Sequence, residues 1–312
     1  MGLIVWMACS ALTLAQATTE FRQTFMVTIQ EPVTLDVDLA RADLQIVYSR
    51  DGQVSIAALA QTSVNAKPNE STFKPPTIEQ DGNHFTIRSA SDPARAEAGS
   101  NVLYRIDVPY RTEVTSQVNI GKQIISGIMG PVTAAMERGD INASYVSKSV
   151  HAKADTGNLD LQVIGEHAEA KTRLGNISCA RAAQGVTAET EDGDITLMVV
   201  GPSTATVKKG TGRIDVGGAR GSFVGSTDGG DLHVKAIPHD DWQVSSVSGN
   251  IRLELPETAR FELDASTKTG EFQVDRDDLG KPEAGAKHIH RTVNGGGKRI
   301  EAHTESGRIA IR

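Results

Sequence analysis

Three histidines near the C-terminal end of the sequence are the side chains most suited to bind a metal ion. His288 and His290 are separated by one residue, and His303 follows further along the chain. Histidine nitrogen is a common zinc ligand, but zinc sites hold their ligands at fixed spacings within well-defined elements. These histidines lack such spacing, so we predict no metal site and expect them to lie on solvated loops.

A second group could do acid–base chemistry. His239 is followed directly by Asp240 and Asp241, and a histidine or a carboxylate can act as a general acid or base. The sequence has no Gly-x-Ser-x-Gly elbow, no phosphate-binding loop and no paired-cysteine zinc motif. We therefore expect this group to lie on a solvated loop, and we predict no catalytic residue, no cofactor and no enzymatic activity.

Oxygen-bearing side chains recur at one repeated position and raise the question of calcium, which takes six to eight oxygen ligands. Arg213 and Arg308 occupy the same position in two of the repeats, and their positive charge works against a row of cations. We interpret the row as turn residues that bond their own backbone. The oxygen-bearing members are Asp140, Asn158, Asn176, Asp194, Asp231 and Asn250.

A repeated glycine precedes each of these residues and sets the organisation of the chain. From Gly139 to Gly249 the successive glycines are 18 or 19 residues apart. A constant period of this kind is typical of a stacked solenoid, and glycine enters turns with positive φ without a Cβ clash. The members of this glycine ladder are Gly139, Gly157, Gly175, Gly193, Gly212, Gly230, Gly249, Gly270 and Gly307.

Apolar residues alternate with polar ones on both sides of each turn. This alternation predicts two short strands per coil, each with one buried face. The fold class is therefore all-β, a single-stranded, right-handed-type β-solenoid with 18–19-residue coils. One inward column of apolar residues runs from Ile141 to Phe272. The predicted column of the other strand includes Val186, Ala205, Phe223, Trp242, Phe261 and Ile300.

The regular coils do not cover the whole chain. The stretch before them alternates less regularly, and we interpret it as a β region that caps the open end of the stack, because exposed strand edges invite aggregation. A polar segment interrupts the repeat near its end. The predicted organisation is a signal peptide at 1–17, an N-terminal β cap region at 18–113, regular coils at 114–274, a polar insertion at 275–298 and a terminal coil at 299–312.

The first residues resemble an export signal. A short apolar segment precedes Ala15-Gln16-Ala17, which has the small-x-small form of a signal-peptidase site, although no Lys or Arg precedes the segment. Cleavage after Ala17 would place the mature chain in an extracytoplasmic space, in the periplasm or at the cell surface. No other segment is apolar enough to span a membrane. Acylation of Cys9, which would make a lipoprotein, ranks second.

Charge narrows the class of partner. The chain has 39 acidic and 32 basic residues and a formal net charge of −7. Nucleic acid needs a basic face, and anionic bilayers attract basic clusters, so both partners are disfavoured. Cys179 lies in an inward column, where we expect a small buried hydrophobe rather than a nucleophile.

The chain resembles a bacterial family of exported β-solenoids known as "putative adhesins" and formerly classed as a domain of unknown function. The resemblance rests on the strand Tyr104-Arg105-Ile106-Asp107-Val108-Pro109, on the glycine ladder that follows it, and on the closing segment 294–309. One departure is Ala42, where the family often has a glycine, and it affects the register of the first coil. The family has no catalytic motif to carry over, so the resemblance implies an exported binding protein.

Three functions follow from these patterns. The first is a non-enzymatic, adhesin-like binding or scaffolding protein of the cell envelope, whose unknown ligand is a protein or a polysaccharide. The second is a polysaccharide-acting β-helix enzyme, although only 13 of 312 residues are aromatic and few could serve as sugar platforms. The third is a self-assembling β-solenoid scaffold, which predicts filaments and no export.

Overall fold

The computed structural model describes residues 17–27, 31–62, 75–89 and 101–312. Most of the proposed signal segment, including Cys9, lies outside the described residues. The regular elements within them are strands, apart from one 3-10 turn at Asp277–Leu279. The all-β prediction is confirmed.

The strands, in chain order, are β1 (Ala17–Met26), β2 (Val33–Tyr48), β3 (Gln53–Thr62), β4 (Thr77–Asp81), β5 (His84–Arg88), β6 (Asn101–Val108), β7 (Thr112–Ser126), β8 (Val132–Val146), β9 (Val150–Thr156), β10 (Leu159–Ile164), β11 (Ala168–Leu174), β12 (Ile177–Ala182), β13 (Val186–Asp192), β14 (Ile195–Met198), β15 (Ser203–Val207), β16 (Ile214–Gly217), β17 (Phe223–Thr227), β18 (Leu232–Lys235), β19 (Trp242–Ser246), β20 (Ile251–Glu254), β21 (Phe261–Thr267), β22 (Phe272–Val274), β23 (His288–Val293), β24 (Lys298–Thr304) and β25 (Ile309–Ile311).

The chain divides into two compact units, Met1–Ala154 and Asp155–Arg312. In the first unit, the 16-residue strand β2 is central. It pairs in parallel with β7 along most of its length, and also in parallel with β5 near its start and with β6 near its end. β7 continues in parallel to β8, whereas β3 is antiparallel to both β1 and β6.

The second unit consists of two parallel strand ladders, as expected for stacked coils that each contribute one strand to each ladder. One ladder runs β10, β12, β14, β16, β18, β20, β25, β22. The other runs β11, β13, β15, β17, β19, β24, β21. Buried residues alternate with more exposed ones along most of these strands, although β10 and β12 break the alternation near their ends. The predicted inward residues Trp242, Phe223 and Phe261 are fully buried.

The order of the ladders departs from chain order at one place. The last coil of the sequence, β24 and β25, lies between the coil of β19 and β20 and the coil of β21 and β22. Ile300 of this intercalated coil therefore pairs with Trp242 on one side and with Leu263, not Phe261, on the other. The segment of sequence between β22 and β24 contains β23, which pairs antiparallel with β21 and covers its outer edge.

A second register correction lies at β15. Ala205 faces Ala188, whereas Ser203 lies between Val186 and Phe223, so the predicted column is displaced by two residues at this coil. The cause is a pair of compensating length changes. The corner before β15 is shorter than its counterparts, and the turn from Val207 to Gly212 is longer, while the interval between ladder glycines stays at 19.

Glycine is required at the ladder positions because the backbones of neighbouring coils approach closely there, more than because of a positive φ. A Cβ built on Gly249 would lie 1.8 Å from the carbonyl oxygen of Gly230, and one built on Gly193 would lie 2.1 Å from that of Gly175. Gly193 has a φ of +143°, but φ is not positive at Gly249. The shared requirement is thus the absence of a side chain where consecutive coils touch.

At five ladder positions, the Asn or Asp after the glycine bonds to the backbone of the neighbouring coil; these residues are Asn158, Asn176, Asp194, Asp231 and Asn250. The side-chain oxygen of Asn158 accepts a hydrogen bond from the backbone N–H of Asn176 at 3.0 Å, and Asn176 does the same for Asp194 at 2.8 Å. Asp194 then accepts from the N–H of Arg213 at 2.7 Å. These side-chain oxygens therefore serve the stacking of coils.

A column of buried hydroxyls lies three residues before the ladder glycines. Thr304 donates to the carbonyl of Gly249 at 3.1 Å and accepts from the N–H of Gly307, also at 3.1 Å. Ser246 makes the equivalent pair of bonds to Gly230 and Gly249. These hydroxyls satisfy backbone groups that the turns would otherwise leave buried and unpaired.

Candidate functional site

The three histidines that were considered as metal ligands lie on strands, so the expectation that they occupy loops is wrong. His288 and His290 belong to β23, and His303 belongs to β24. The imidazole Nε2 of His288 lies 2.7 Å from a carboxylate oxygen of Asp264, and Nδ1 of His303 lies 2.9 Å from the hydroxyl of Ser266. Within the described residues, no group of three or more His, Cys, Asp or Glu side chains could hold a metal ion.

The second predicted group, His239-Asp240-Asp241, lies between β18 and β19, and its carboxylates fasten the intercalated coil. Lys298 bonds Asp240 at 3.1 Å and holds the pKa of that carboxyl below its ordinary value. Asp241 accepts the backbone N–H of Arg299 at 2.9 Å. Both carboxylates therefore bond to the start of β24, whereas His239 is exposed and makes no side-chain hydrogen bond or ion pair within the described residues.

Cys179 is fully buried in β12. Burial raises the pKa of its thiol to about 12, so the reactive thiolate is scarce at neutral pH. The side chain is a packing residue of the inward column.

One open site of the second unit is a groove of about 640 Å³ at the ends of β16, β18, β20 and β25. Small-molecule sites typically occupy about 300–1,000 Å³, so the groove has the size of such a site. We call it the basic groove. It is lined by Gly218, Ala219, Arg220, Lys235, Ala236, Ile237, His239, Glu254, Leu255, Pro256 and Arg312.

One wall of the basic groove is a row of alternating charges on neighbouring strands. Lys235 lies next to Glu254 in register, and their side chains meet at 3.2 Å. The hydrogen bond from Lys235 is the main reason that the pKa of Glu254 lies below its ordinary value. Arg312 directly follows β25 and pairs with Asp275 at 2.9 Å. The charges of this wall are thus largely compensated.

The remaining basic groups of the groove are not compensated. Arg220 and His239 make no side-chain hydrogen bond or ion pair within the part of the chain that the structure describes. Both are exposed. The groove therefore presents one free guanidinium and one free imidazole on a chain whose net charge is −7.

The floor of the basic groove is apolar and firmly held. Ala219, Ala236 and Leu255 are buried beneath it, while the side chain of Ile237 is 48% exposed at its rim. Arg276 braces the floor from behind, since its guanidinium donates to the carbonyls of Leu255 at 2.7 Å and Pro256 at 2.9 Å. The site is therefore an apolar trough with a cationic edge.

A histidine on the adjacent sheet face is the nearest approach to an acid–base arrangement. Nδ1 of His233 lies 3.2 Å from Asp215, and its Nε2 lies 3.2 Å from Glu254. Nε2 is buried and makes no hydrogen bond, so its approach to Glu254 is a close contact and not a hydrogen bond. Among the described residues, no serine, threonine or cysteine lines the basic groove, so no hydroxyl or thiol nucleophile from this part of the chain accompanies these groups.

The first unit exposes an aromatic cluster that the count of aromatic residues does not predict. Three of the four tyrosines lie at one corner, where the Tyr48 and Tyr110 rings meet edge to face with centroids 5.4 Å apart. Tyr145 is 64% exposed. Gly127, which contacts Tyr48 and donates its N–H to the carbonyl of Ser144, lies between Tyr48 and Tyr145. This corner is a second exposed surface with chemistry suited to contacts.

Sequence reasoning singles out only His239 among the groove residues. Lys235 and Glu254 are the fourth residues of β18 and β20, and Arg312 directly follows the three-residue strand β25. An alignment of coils could therefore reveal the alternating charge. Arg220 and Ile237 lie in corner segments that do not repeat, and no periodic signal marks them.

Comparison with known proteins gives one family. Residues 33–312 match the model of the Toastrack DUF4097 family. No curated protein matches the chain. Among the described residues, no helix is long and apolar enough to cross a membrane.

Several solved structures are similar to the chain at low identity. A "putative cell adhesion protein" from Clostridium sporogenes is 9% identical, with 94% of this chain and 99% of that chain covered and a TM-score of 0.27. A "putative adhesin" from Bacteroides fragilis is 10% identical, with 94% and 96% covered and a TM-score of 0.33. A "putative lipid binding protein" from Parabacteroides distasonis is 12% identical, with 94% and 96% covered and a TM-score of 0.34. The family assignment rests on the match over residues 33–312.

Proposed function

The chain belongs to the Toastrack DUF4097 family, and from that premise we propose that it is an exported, non-enzymatic β-solenoid that binds a ligand at the cell envelope. The proposal includes a signal peptide at 1–17, cleavage after Ala17 and an adhesin-like role. Stacked coils present side chains at fixed intervals on a rigid surface, which suits binding.

The observation that carries the binding role is the basic groove. It combines an apolar floor with uncompensated basic groups, and it lacks a hydroxyl or thiol nucleophile among its lining residues. Glu254 is held ionised by Lys235, which makes it a poor proton donor at neutral pH. These features favour retention of a ligand over its chemical conversion.

The polysaccharide-acting enzyme remains the alternative within the catalytic class. It requires a pair of carboxylates placed around a sugar linkage. Incubation with a panel of acidic and neutral polysaccharides, followed by chromatography of the products, tests it. Cleavage that is lost in a variant of one acidic residue would replace the binding role, whereas intact polysaccharides would support it.

Export is tested by fractionating native cells and sequencing the N-terminus of the purified protein. A chain that begins at Thr18 in an extracytoplasmic fraction is the expected result. An acylated Cys9 would make the protein a membrane-anchored lipoprotein and correct the cleavage site. An intact Met1 in the cytoplasm would contradict export and favour the self-assembling scaffold, which sedimentation at high concentration would then reveal as filaments.

A further inference from the structure

The uncompensated charge in the basic groove is small and local. Lys235 is paired with Glu254 at 3.2 Å, and Arg312 is paired with Asp275 at 2.9 Å. Arg220 is the one guanidinium lining the groove that has no partner within the described residues. A guanidinium binds a carboxylate or a phosphate through two parallel hydrogen bonds. The charge therefore matches a ligand with one anionic head.

The rest of the groove matches an apolar body. Ile237 and Pro256 form exposed apolar edges above the buried Ala236 and Leu255. An apolar ligand that covers this exposed apolar area removes it from water, which makes binding more favourable. A purely polar anion would leave this part of the groove unused.

We infer that the basic groove binds a free, single-chain anionic amphiphile, whose carboxylate or phosphate head pairs with Arg220 and whose apolar chain lies along Ile237 and Leu255. The inference rests on the proposed binding function and gives that function a ligand class. A free molecule is favoured over a bilayer because the chain as a whole carries a charge of −7, which repels an anionic membrane surface.

Isothermal titration calorimetry of the whole mature chain with sodium decanoate is the direct test. One equivalent should bind per chain, with decyl phosphate behaving similarly. Decyl maltoside has the same chain and no charge, and inorganic phosphate has the charge and no chain, so both should bind at least tenfold more weakly. Equal binding of decyl maltoside would overturn the role of the anionic head, and equal binding of phosphate would overturn the role of the chain.

Matched variants assign the binding to this groove. Arg220→Gln removes the head-group partner and should weaken decanoate binding by about tenfold or more. Arg213→Gln removes another exposed arginine, outside the groove, and should leave binding within twofold. Ile237→Ser should weaken binding by about fivefold, and the control Val247→Ser, at a side chain that is also 48% exposed, should not. Equal losses in a variant and its control would overturn the site.

A flotation assay distinguishes the two sources of the anionic head. Vesicles of phosphatidylglycerol should not carry the protein with them, and Arg220-dependent flotation would overturn the free-molecule source. The outcome is separable from export. A cytoplasmic protein that binds decanoate through Arg220 would contradict the envelope role alone, whereas an exported protein that does not bind decanoate would contradict this inference alone.

Discussion

At the scale of the residue, Arg276 shows how a charged side chain can hold a turn from inside. It is nearly buried, it donates to the carbonyls of Leu255 and Pro256, and it forms an ion pair with Asp278 at 2.6 Å. Its guanidinium also lies over the Phe261 ring at 5.6 Å. The polar composition of 275–298 hides this packing role, because burial of an arginine depends on partners that only the fold brings together.

Replacing Arg276 by methionine should lower the free energy of unfolding by about 2–4 kcal/mol, because buried carbonyls and Asp278 lose their partner. Denaturant unfolding measures the change. The matched control is Arg213→Met, at an exposed arginine, which should change stability by less than about 0.5 kcal/mol. Equal effects of the two substitutions would contradict the bracing role.

The ion pair between Arg276 and Asp278 also predicts that the stability of the fold depends on pH. The hydrogen bond from Arg276 is the main cause that lowers the pKa of Asp278. A carboxyl with a lowered pKa in the folded state contributes stability above its unfolded value of about 4, and loses it as pH falls through the folded value. The stability difference between the native chain and Arg276→Met should therefore shrink as pH falls below about 4. A difference that is constant down to pH 2 would contradict the pairing.

Backbone strain at one corner gives a second residue-scale prediction. Val163, Arg181 and Val199 all have positive φ, between +53° and +60°, and Gly218 takes over this corner in the next coil. A β-branched residue in this region costs about 1–2 kcal/mol. Sequence patterns cannot show the strain, because Val199 reads as part of an ordinary strand.

Val199→Gly should therefore be neutral or stabilising in thermal unfolding. The control is Val224→Gly, since Val224 is 41% exposed and Val199 is 39% exposed, yet Val224 lies in β17 without positive φ. The control should lose about 1 kcal/mol, as glycine does within a strand. A loss at Val199 as large as that at Val224 would show that the corner is not strained.

At the scale of the element, the coil period predicts the strands but not their register. The interval from Gly193 to Gly212 is 19 residues, like others in the ladder, yet β15 is displaced by two residues within it. A nearly constant interval between ladder glycines cannot reveal that the corner before β15 is shorter and the turn after it is longer, because these two changes cancel. The inward faces survive because a shift of two residues keeps each side chain on the same side of a strand.

The glycine ladder gives the element-scale prediction. Gly249→Ala places a Cβ 1.8 Å from the carbonyl oxygen of Gly230, so neighbouring coils must separate, and we expect a loss above about 3 kcal/mol or failure to fold. Gly280→Ala is the control, because no atom lies within 4 Å of its Cβ and only its φ of +65° is strained. It should cost about 1 kcal/mol. Circular dichroism during denaturant unfolding measures both.

At the scale of the whole second unit, the placement of the last coil decides the chemistry of the groove. In the observed order Arg312 lies between Glu254 and Asp275, because β25 separates β20 from β22. If the coils stacked in chain order, Glu254 and Asp275 would be neighbours, and like charges directly opposite each other destabilise a sheet. Intercalation replaces that repulsion with the pair Arg312–Asp275 and completes the row of alternating charges along one wall of the groove.

Chain order could not predict this arrangement. The glycine ladder places Gly270 before Gly307, and both coils have the same apolar pattern, so either stacking order buries the same kinds of side chain. The charges of the outward-facing residues distinguish the two stacking orders. Their pairing can be evaluated only when the neighbouring strands are already known.

Paired cysteines test the intercalated coil most directly, in a background where Cys9 and Cys179 are replaced by alanine. Ser245 and His303 face each other on β19 and β24, and neighbouring strands lie about 4.8 Å apart, within reach of a disulfide. Ser245→Cys with His303→Cys should therefore oxidise to an intramolecular disulfide, which mass spectrometry of the unreduced chain detects. Ser245→Cys with Ser266→Cys should remain reduced, because β24 separates these strands. A disulfide in the second pair and none in the first would contradict the intercalated order and, with it, the basic groove.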